Sequence, residues 1–103
     1  MKIILTTTSN LEEAERIAEK LVESGLAGCV QCVPQVVSVY RWQGETVKDK
    51  EVLMVIKTSE ALIEKTIEAL EGEHSYEVPE ILVIDPSHVS PSYLEWLTSV
   101  LGK

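Results

Sequence analysis

The sequence predicts an α+β fold whose strands and helices follow one another in the order βαββαβα. Apolar, β-branched runs indicate the strands, and three segments with apolar residues at helical spacing indicate the helices. Glycine and proline residues fall between these segments, where helices and strands end. Two βαβ halves joined by a hairpin form a ferredoxin-like antiparallel sheet with its helices on one face. The 103 residues suffice for one such domain, spanning residues 1–103.

The first half of the chain predicts a buried strand and an amphipathic helix. Ile3 to Thr8 is apolar and β-branched. Ser9 and Glu12 have the spacing of a capping box, in which Ser9 accepts from first-turn amides and Glu12 reaches back. The helix ends at Gly25, and its apolar positions are Leu11, Ala14, Ile17, Ala18, Leu21 and Val22.

The centre of the chain predicts a long β-hairpin. One arm runs from Leu26 to Trp42 and is stopped or bent at Pro34; the other runs from Thr46 to Lys57, after a turn at 43–45. A small core cannot cover both apolar faces of such a hairpin, so we expect an oligomer with the hairpin at its interface. The alternative is a bulge at Pro34 that folds the tip back onto its own sheet. The apolar residues are Val36, Tyr40 and Trp42 on one face and Val37 and Val39 on the other.

The second half repeats the pattern of the first. Thr58 or Ser59 caps a second helix that ends at Gly72. A fourth strand follows from Val78 to Ile84, and a last helix opens at Pro91. The inner face of the second helix carries Leu62, Ile63, Thr66, Ile67 and Leu70. The last helix contains Tyr93, Leu94, Trp96, Leu97, Val100 and Leu101.

Composition and motifs exclude several classes of protein. Nine Lys and Arg against seventeen Asp and Glu give a net charge of −8, so we expect no nucleic-acid partner, which would need a cationic surface. The apolar run before Thr6 is too short for a signal peptide and no segment approaches a membrane span, so we expect a cytoplasmic protein without a membrane partner. The sequence has no nucleophile elbow, phosphate loop or dinucleotide-binding glycine pattern, so we expect no enzyme.

Cys29 and Cys32 have the spacing of a redox or zinc motif. Residues three apart on a strand point to opposite faces, so the two sulfur atoms diverge. No second cysteine pair completes a zinc site. We therefore expect buried, free thiols.

The polar stretch from Glu71 to Glu80 contains the first candidate site. His74 can ligate copper, zinc or nickel, and Glu73 or Glu77 can add a carboxylate oxygen. The alternative is a histidine at a helix end that hydrogen-bonds backbone carbonyls, surrounded by solvated glutamates. A single histidine makes a weak site unless an oligomer brings symmetry-related ligands together.

Lys57 is the second candidate, because it ends an apolar strand beside a helix N-terminus. Paired with Glu77 or Glu80, its ammonium group would line an anion-binding or structural pocket. The alternative is a solvated surface lysine.

Five separate blocks of the chain occur in a recognisable order: Leu26–Gln31, Ser38–Gly44, Ile56–Thr58, His74–Ile81 and Tyr93–Leu97. Together they resemble the CutA family of divalent-cation-tolerance proteins, and the match covers nearly the whole chain. The resemblance implies a ferredoxin-like subunit in a tight homotrimer, with long hairpins exchanged between subunits. It also implies a cytoplasmic, non-enzymatic role in the response to divalent metal ions.

The resemblance implies only weak metal binding here. Copper ligands described for the family are a cysteine near the end of the first strand and adjacent histidines. The corresponding residues are Leu5–Thr7, without a thiol, and Glu73 precedes His74. We therefore expect no required cofactor, and weak binding of Cu(II) or another divalent cation at His74 with help from Glu73 and Glu77.

The remaining shared residues either line a cleft between subunits or pack the trimer interface. A cleft suggests an alternative function, a trimeric small-ligand sensor that binds an effector there; a structural scaffold is a further alternative. These residues are Tyr40, Trp42, Lys57, Tyr76, Glu77, Glu80, Tyr93 and Trp96.

Overall fold

A computed structural model describes residues 1–102 and confirms the α+β class and the order of the elements. No helix in this range has the length and apolar character that crossing a bilayer requires. The strands are β1 (Lys2–Thr8), β2 (Cys29–Trp42), β3 (Glu45–Thr58) and β4 (Leu82–Ile84). The helices are α1 (Leu11–Glu23), α2 (Ile63–Glu73, entered through a 3-10 turn at Glu60–Leu62) and α3 (Pro91–Val100).

The four strands form one antiparallel sheet in the order β2-β3-β1-β4. Side chains alternate across a strand, and every second residue of β1 and β3 points to the face that α1 and α2 cover. The resulting core consists of Ile4, Ala14, Ile17, Leu21, Ala27, Val52, Met54, Ile56 and Leu70. The predicted sheet with two helices on one face is therefore confirmed.

Helix α3 lies elsewhere, which corrects the expectation that all helices share one face. Its Tyr93 contacts Lys57, which follows the core residue Ile56 on β3 and so points to the opposite face. Leu97 is buried beside Gly28, where an added Cβ would lie 2.3 Å from Leu97 Cδ1. Gly28 thus permits the close approach of α3 to the start of β2.

Helix α1 begins one residue later than predicted. Asn10, not Ser9, is the N-cap, and its side chain accepts a hydrogen bond from the Glu13 amide at 2.8 Å. Ser9 and Asn10 are both good N-caps and both precede a glutamate by three residues, so Glu12 and Glu13 were equally plausible partners. The predicted end of α1 is confirmed by Gly25, which has a φ of 76°.

Helix α2 differs from its prediction at both ends. It continues through Gly72 to Glu73, and His74 is its C-cap. Within residues 1–102, neither the Thr58 side chain nor the Ser59 side chain forms a capping hydrogen bond at the start of this helix. Thr58 is instead buried at the end of β3, where its hydroxyl donates to the Leu26 carbonyl at 2.6 Å.

Strand β4 is shorter than the predicted strand from Val78 to Ile84. Only Leu82–Ile84 pairs with β1. Pro79 has no amide hydrogen to donate to a ladder, and Val78 is 73% exposed. Residues 74–81 therefore form a connection across the end of the sheet, which we call the α2–β4 segment.

Strands β2 and β3 are each 14 residues long and form the predicted hairpin. Their register shifts between Val33 and Val36, where two β2 residues, Pro34 and Gln35, form a bulge. Gln35 takes a positive φ of 61° there. The bulge that the alternative required is therefore present, but pairing of β2 with β3 resumes directly beyond it.

The hairpin stays paired to its tip instead of folding back. The register continues from Val36 opposite Glu51 to Trp42 opposite Glu45. Gln43 and Gly44 form the turn with φ values of 50° and 82°, the pair of positive values that a type I′ turn requires. The molecule is accordingly 45 Å long but only 26 Å and 22 Å in its other dimensions.

Candidate functional site

His74 joins the end of α2 to β1. Its Nε2 lies 2.7 Å from the carbonyl oxygen of Thr7 and 3.4 Å from Thr6 Oγ1. Its Nδ1 accepts a hydrogen bond from the Tyr76 amide at 3.1 Å. A carbonyl can only accept and an amide N–H can only donate, so these contacts require a proton on Nε2 and a free lone pair on Nδ1. This geometry matches the alternative interpretation of His74, a helix-end histidine bonded to a backbone carbonyl.

Glu73 is engaged with α1 rather than with His74. Its carboxylate lies 2.7 Å from Arg16 Nη1 and 2.9 Å from Lys20 Nζ. The hydrogen bond from Lys20, together with Arg16, holds the pKa of Glu73 below its ordinary value. Glu73 therefore acts as an ionic link between α1 and α2.

Glu13 is a buried carboxylate at this site that the sequence analysis missed. It accepts a hydrogen bond from the Ser75 amide at 2.8 Å and another from Ser9 Oγ at 3.3 Å. Burial raises the pKa of Glu13, but the hydrogen bonds from Ser75 and Ser9 outweigh burial and hold that pKa below its ordinary value. The N-cap Asn10 precedes Glu13 by three residues, but the Glu13 carboxylate accepts from Ser75 and Ser9 instead of from the Asn10 amide, so the local pattern does not reveal its contact with Ser75. Glu13 thus anchors the α2–β4 segment to the start of α1.

Tyr76 and Tyr40 bind two carboxylates of the hairpin. The Tyr76 hydroxyl donates to Glu51 Oε2 at 2.7 Å, and the Tyr40 hydroxyl donates to Asp49. Burial and the Glu51 hydrogen bond raise the pKa of Tyr76 strongly. The bond to Asp49 raises the pKa of Tyr40. Both phenols therefore remain protonated donors near neutral pH.

Tyr40 and Tyr76 border an open groove of about 230 Å³, which we call the hairpin groove. Aromatic rings beside carboxylates favour a cationic occupant, because the faces of the rings and the carboxylates are both negative. The groove brings together four of the residues predicted for the site. Its lining residues are Tyr40, Trp42, Tyr76, Glu77 and Val78.

Lys57, Tyr93 and Trp96 form a second group at the other end of the hairpin. Lys57 Nζ lies 5.2 Å from the centre of the Tyr93 ring, a cation–π arrangement. The rings of Tyr93 and Trp96 are 5.6 Å apart between centroids. Lys57 and Glu51 are six residues apart on β3, or about 20 Å at the rise of an extended strand. The predicted cleft residues therefore fall into two groups within one chain.

The predicted pairing of Lys57 does not form within one chain. No carboxylate among residues 1–102 lies within ion-pair distance of its ammonium group. Glu77 lines the hairpin groove instead, and Glu80 is exposed on the α2–β4 segment.

The predicted metal ligands do not converge in the structure. Within residues 1–102, no three His, Cys, Asp or Glu side chains are grouped so that they could hold a metal ion. Both ring nitrogens of His74 are in hydrogen bonds, Glu73 binds Arg16 and Lys20, and Glu77 faces the groove. Within residues 1–102 of one chain, His74, Glu73 and Glu77 therefore do not form a preassembled metal site.

The two cysteines are free, as predicted. Cys29 lies opposite Lys57 and Cys32 opposite Met54, so the thiols point to opposite faces of the hairpin. Both are half-buried rather than buried, and burial raises the pKa of the Cys32 thiol.

Comparison with known proteins connects this architecture to one family. Residues 2–100 match the family model described as CutA1 divalent ion tolerance protein. The chain belongs to this family. The divalent-cation tolerance protein CutA of Thermus thermophilus is 41% identical over 98% of both chains. A solved structure of the divalent cation tolerance protein from Thermus thermophilus superimposes with a TM-score of 0.93, over 99% of this chain and 100% of that one.

Other CutA relatives are longer. The chloroplastic CutA protein of Arabidopsis thaliana is 38% identical over 92% of this chain, but this match covers only 52% of the plant protein. The chain therefore spans about half the length of that relative. The CutA family is named for tolerance of divalent cations and not for a catalysed reaction.

Proposed function

We propose that this chain acts in divalent-cation tolerance as a non-enzymatic, cytoplasmic homotrimer. The observation that carries the proposal is the hairpin, which exposes apolar side chains on both faces. Val37 and Val39 are 56% and 60% exposed on one face, and Tyr40 and Trp42 are 40% and 54% exposed on the other. Adjacent exposed apolar groups mark a protein interface. Membership of the CutA family supports the same role.

The edges of the sheet support self-association. Among residues 1–102, β2 and β4 are the outer strands, and Leu82, Val83 and Ile84 of β4 are all exposed. An apolar edge with unpaired backbone groups favours pairing with another strand. Because the two edges differ, pairing them between copies is a head-to-tail contact, which forms a ring when the rotation from one copy to the next closes. The number of copies in the ring, three, is taken from the resemblance to the CutA family.

The proposed role in metal tolerance requires no tightly held ion. A metal that binds His74 must first displace the Thr7 carbonyl or the Tyr76 amide from a ring nitrogen. Binding of Cu(II) or another divalent cation there, with Glu73 or Glu77, therefore costs contacts that hold the end of α2. Such binding is weak.

Thermal unfolding with and without Cu(II) or Zn(II) tests this part of the proposal. Weak binding predicts a small rise in melting temperature with metal. His74→Gln should lower the melting temperature without metal, because glutamine cannot reproduce both ring contacts, whereas His88→Gln at an exposed loop position should not. A large metal-dependent rise that His74→Gln abolishes would contradict the proposal.

Complementation tests the cellular role. A bacterial strain that lacks its own CutA protein should regain growth in copper-containing medium when it expresses this chain. Val39→Asp replaces an exposed apolar side chain of the hairpin with a carboxylate and should prevent both trimer formation and rescue. Val22→Asp, at an exposed position of α1, is the matched control and should rescue. Rescue by Val39→Asp as a monomer would show that the trimer is not the working form.

A second function is favoured by Lys57, whose charge has no carboxylate partner among residues 1–102. An anionic small molecule bound by Lys57, beside Tyr93 and in a cleft completed by a neighbouring subunit, would make the trimer a sensor. Scanning fluorimetry against a panel of anionic metabolites should then find a stabilising compound. Lys57→Met should abolish that stabilisation and Lys65→Met, at an exposed position of α2, should not. Stabilisation that survives Lys57→Met would exclude this site.

A further inference from the structure

The two faces of the hairpin beyond the bulge carry opposite charges. Residues directly opposite each other in an antiparallel pair point to the same face, and successive pairs alternate. The register from Val36–Glu51 to Trp42–Glu45 therefore assigns each side chain to one of two faces. One face, the cationic face, carries Val37, Val39, Arg41, Lys48 and Lys50. The other, the acidic face, carries Tyr40, Trp42, Glu45, Asp49 and Glu51.

The cationic face presents its charges to solvent. Lys48 lies opposite Val39 and Lys50 lies opposite Val37, so each ammonium group neighbours an exposed apolar side chain. Among residues 1–102, neither lysine forms an ion pair. Arg41 donates only to the Gly44 carbonyl, at 3.2 Å. This face therefore holds positive charge without a negative partner of its own.

The acidic face contains a recess for a cation. The hairpin groove lies on this face between Tyr40 and Trp42 of the hairpin and Tyr76 and Glu77 of the α2–β4 segment. A lysine is suited to such a groove, because its ammonium group interacts with ring faces and a carboxylate. Its hydrocarbon stem covers apolar surface at the same time.

We infer that the cationic face of one copy docks on the acidic face of the next, with Lys48 or Lys50 of the incoming copy entering the hairpin groove. This inference rests on the proposed homotrimer and names the contact that assembles it. Two cationic faces, or two acidic faces, would place like charges together, which is strongly unfavourable at an interface. Only the head-to-tail contact pairs opposite charges, and it also offsets repulsion between chains that each carry a net charge of −8.

Charge reversal on each face, separately and together, tests the inference. Lys48→Glu/Lys50→Glu makes both faces acidic, and Glu45→Lys/Asp49→Lys makes the acidic face basic. Each double variant should raise the concentration at which trimers dissociate by about tenfold or more. The quadruple variant retains the net charge and reverses the sign of the hairpin charge on each face, although Arg41 and Glu51 remain, so it should restore assembly in part. If like faces met, like charges would be opposed in the wild type and in every variant, so neither double variant would be selectively weakened.

A matched control separates contact charge from net charge. Glu19→Lys/Glu68→Lys changes the net charge as much as Glu45→Lys/Asp49→Lys does, but at exposed positions of α1 and α2. It should assemble like the wild type. Double variants that assemble like the wild type, or a quadruple variant that dissociates like the doubles, would overturn the inference. A folded wild-type monomer would overturn the homotrimer itself.

Cross-linking of the unmodified protein provides a test that needs no variant. Trimers formed from mixed ¹⁴N and ¹⁵N chains are treated with a carbodiimide, which joins an amine directly to a carboxylate. The inference predicts mixed-isotope peptides that link Lys48 or Lys50 to Glu45, Asp49 or Glu77. Links from these lysines found only within one chain, or to carboxylates of the helices, would contradict it.

Discussion

At the scale of single residues, the α2–β4 segment is held by polar contacts between residues far apart in sequence. Glu13 accepts from the Ser75 amide, and His74 binds the Thr7 carbonyl while it accepts from the Tyr76 amide. These contacts satisfy backbone groups where α2 ends, which would otherwise lack partners. They also fix the direction of Tyr76 toward the hairpin. The residues next to His74 thus hold the α2–β4 segment in place and position Tyr76 beside the hairpin.

Glu13→Gln tests the most buried of these contacts. The substitution keeps the shape but removes the charge that strengthens the hydrogen bond from Ser75, so we expect a loss of about 1 kcal/mol in the free energy of unfolding near neutral pH. Urea unfolding of the variant, with Glu12→Gln in the exposed part of the same turn as control, measures this loss. Equal stability of the two variants would contradict the role of Glu13.

The pH dependence of the Glu13→Gln effect has a definite sign. The pKa of Glu13 in the fold lies below the ordinary value of 4.5, so the folded protein favours the ionised carboxylate. Its contribution is therefore complete above about pH 4.5 and is lost as the pH falls through the folded pKa. The difference between wild type and variant should shrink in acid. A difference that grows as the pH falls would show that the carboxylate is not stabilised by ionisation.

At the scale of elements, hydrophobic periodicity was enough to predict the order of strands and helices, but not their ends. The N-cap of α1 was uncertain by one residue because Ser9 and Asn10 offer the same local pattern. β4 was predicted too long because the strand-like pattern extends back to Val78, whereas pairing with β1 begins only at Leu82. The contact of Glu13 with Ser75 spans 62 residues, so tertiary packing creates it and no local pattern reveals it. The hairpin register places Tyr40 and Trp42 on the face of Glu51, and the hydrogen bond from Tyr76 to Glu51 brings the α2–β4 segment to that face. No local pattern predicts this meeting.

The hairpin turn offers a prediction at this scale. Gln43 holds a φ of 50°, a left-handed conformation that asparagine tolerates better than glutamine does. Gln43→Asn should therefore raise the free energy of unfolding by roughly 0.5 kcal/mol, measured at fixed protein concentration because assembly contributes to stability. Gln31→Asn, within β2, should give no gain. An unchanged or lower stability for Gln43→Asn would show that the turn is not strained at this residue.

At the scale of the whole molecule, an elongated subunit presents apolar side chains and opposite charges on the two faces of one hairpin. The core under α1 and α2 is closed, so these exposed residues do not belong to the interior of the chain. The two unlike edges of the sheet and the two unlike faces of the hairpin favour the same kind of contact, in which each copy binds the next in one direction. A closed ring of copies covers all of these surfaces at once.

Sedimentation equilibrium of the wild-type chain at low micromolar concentration tests this account most directly. The account predicts one species with three times the mass of the chain, unchanged on further dilution within that range. A well-folded species with the mass of a single chain would contradict it.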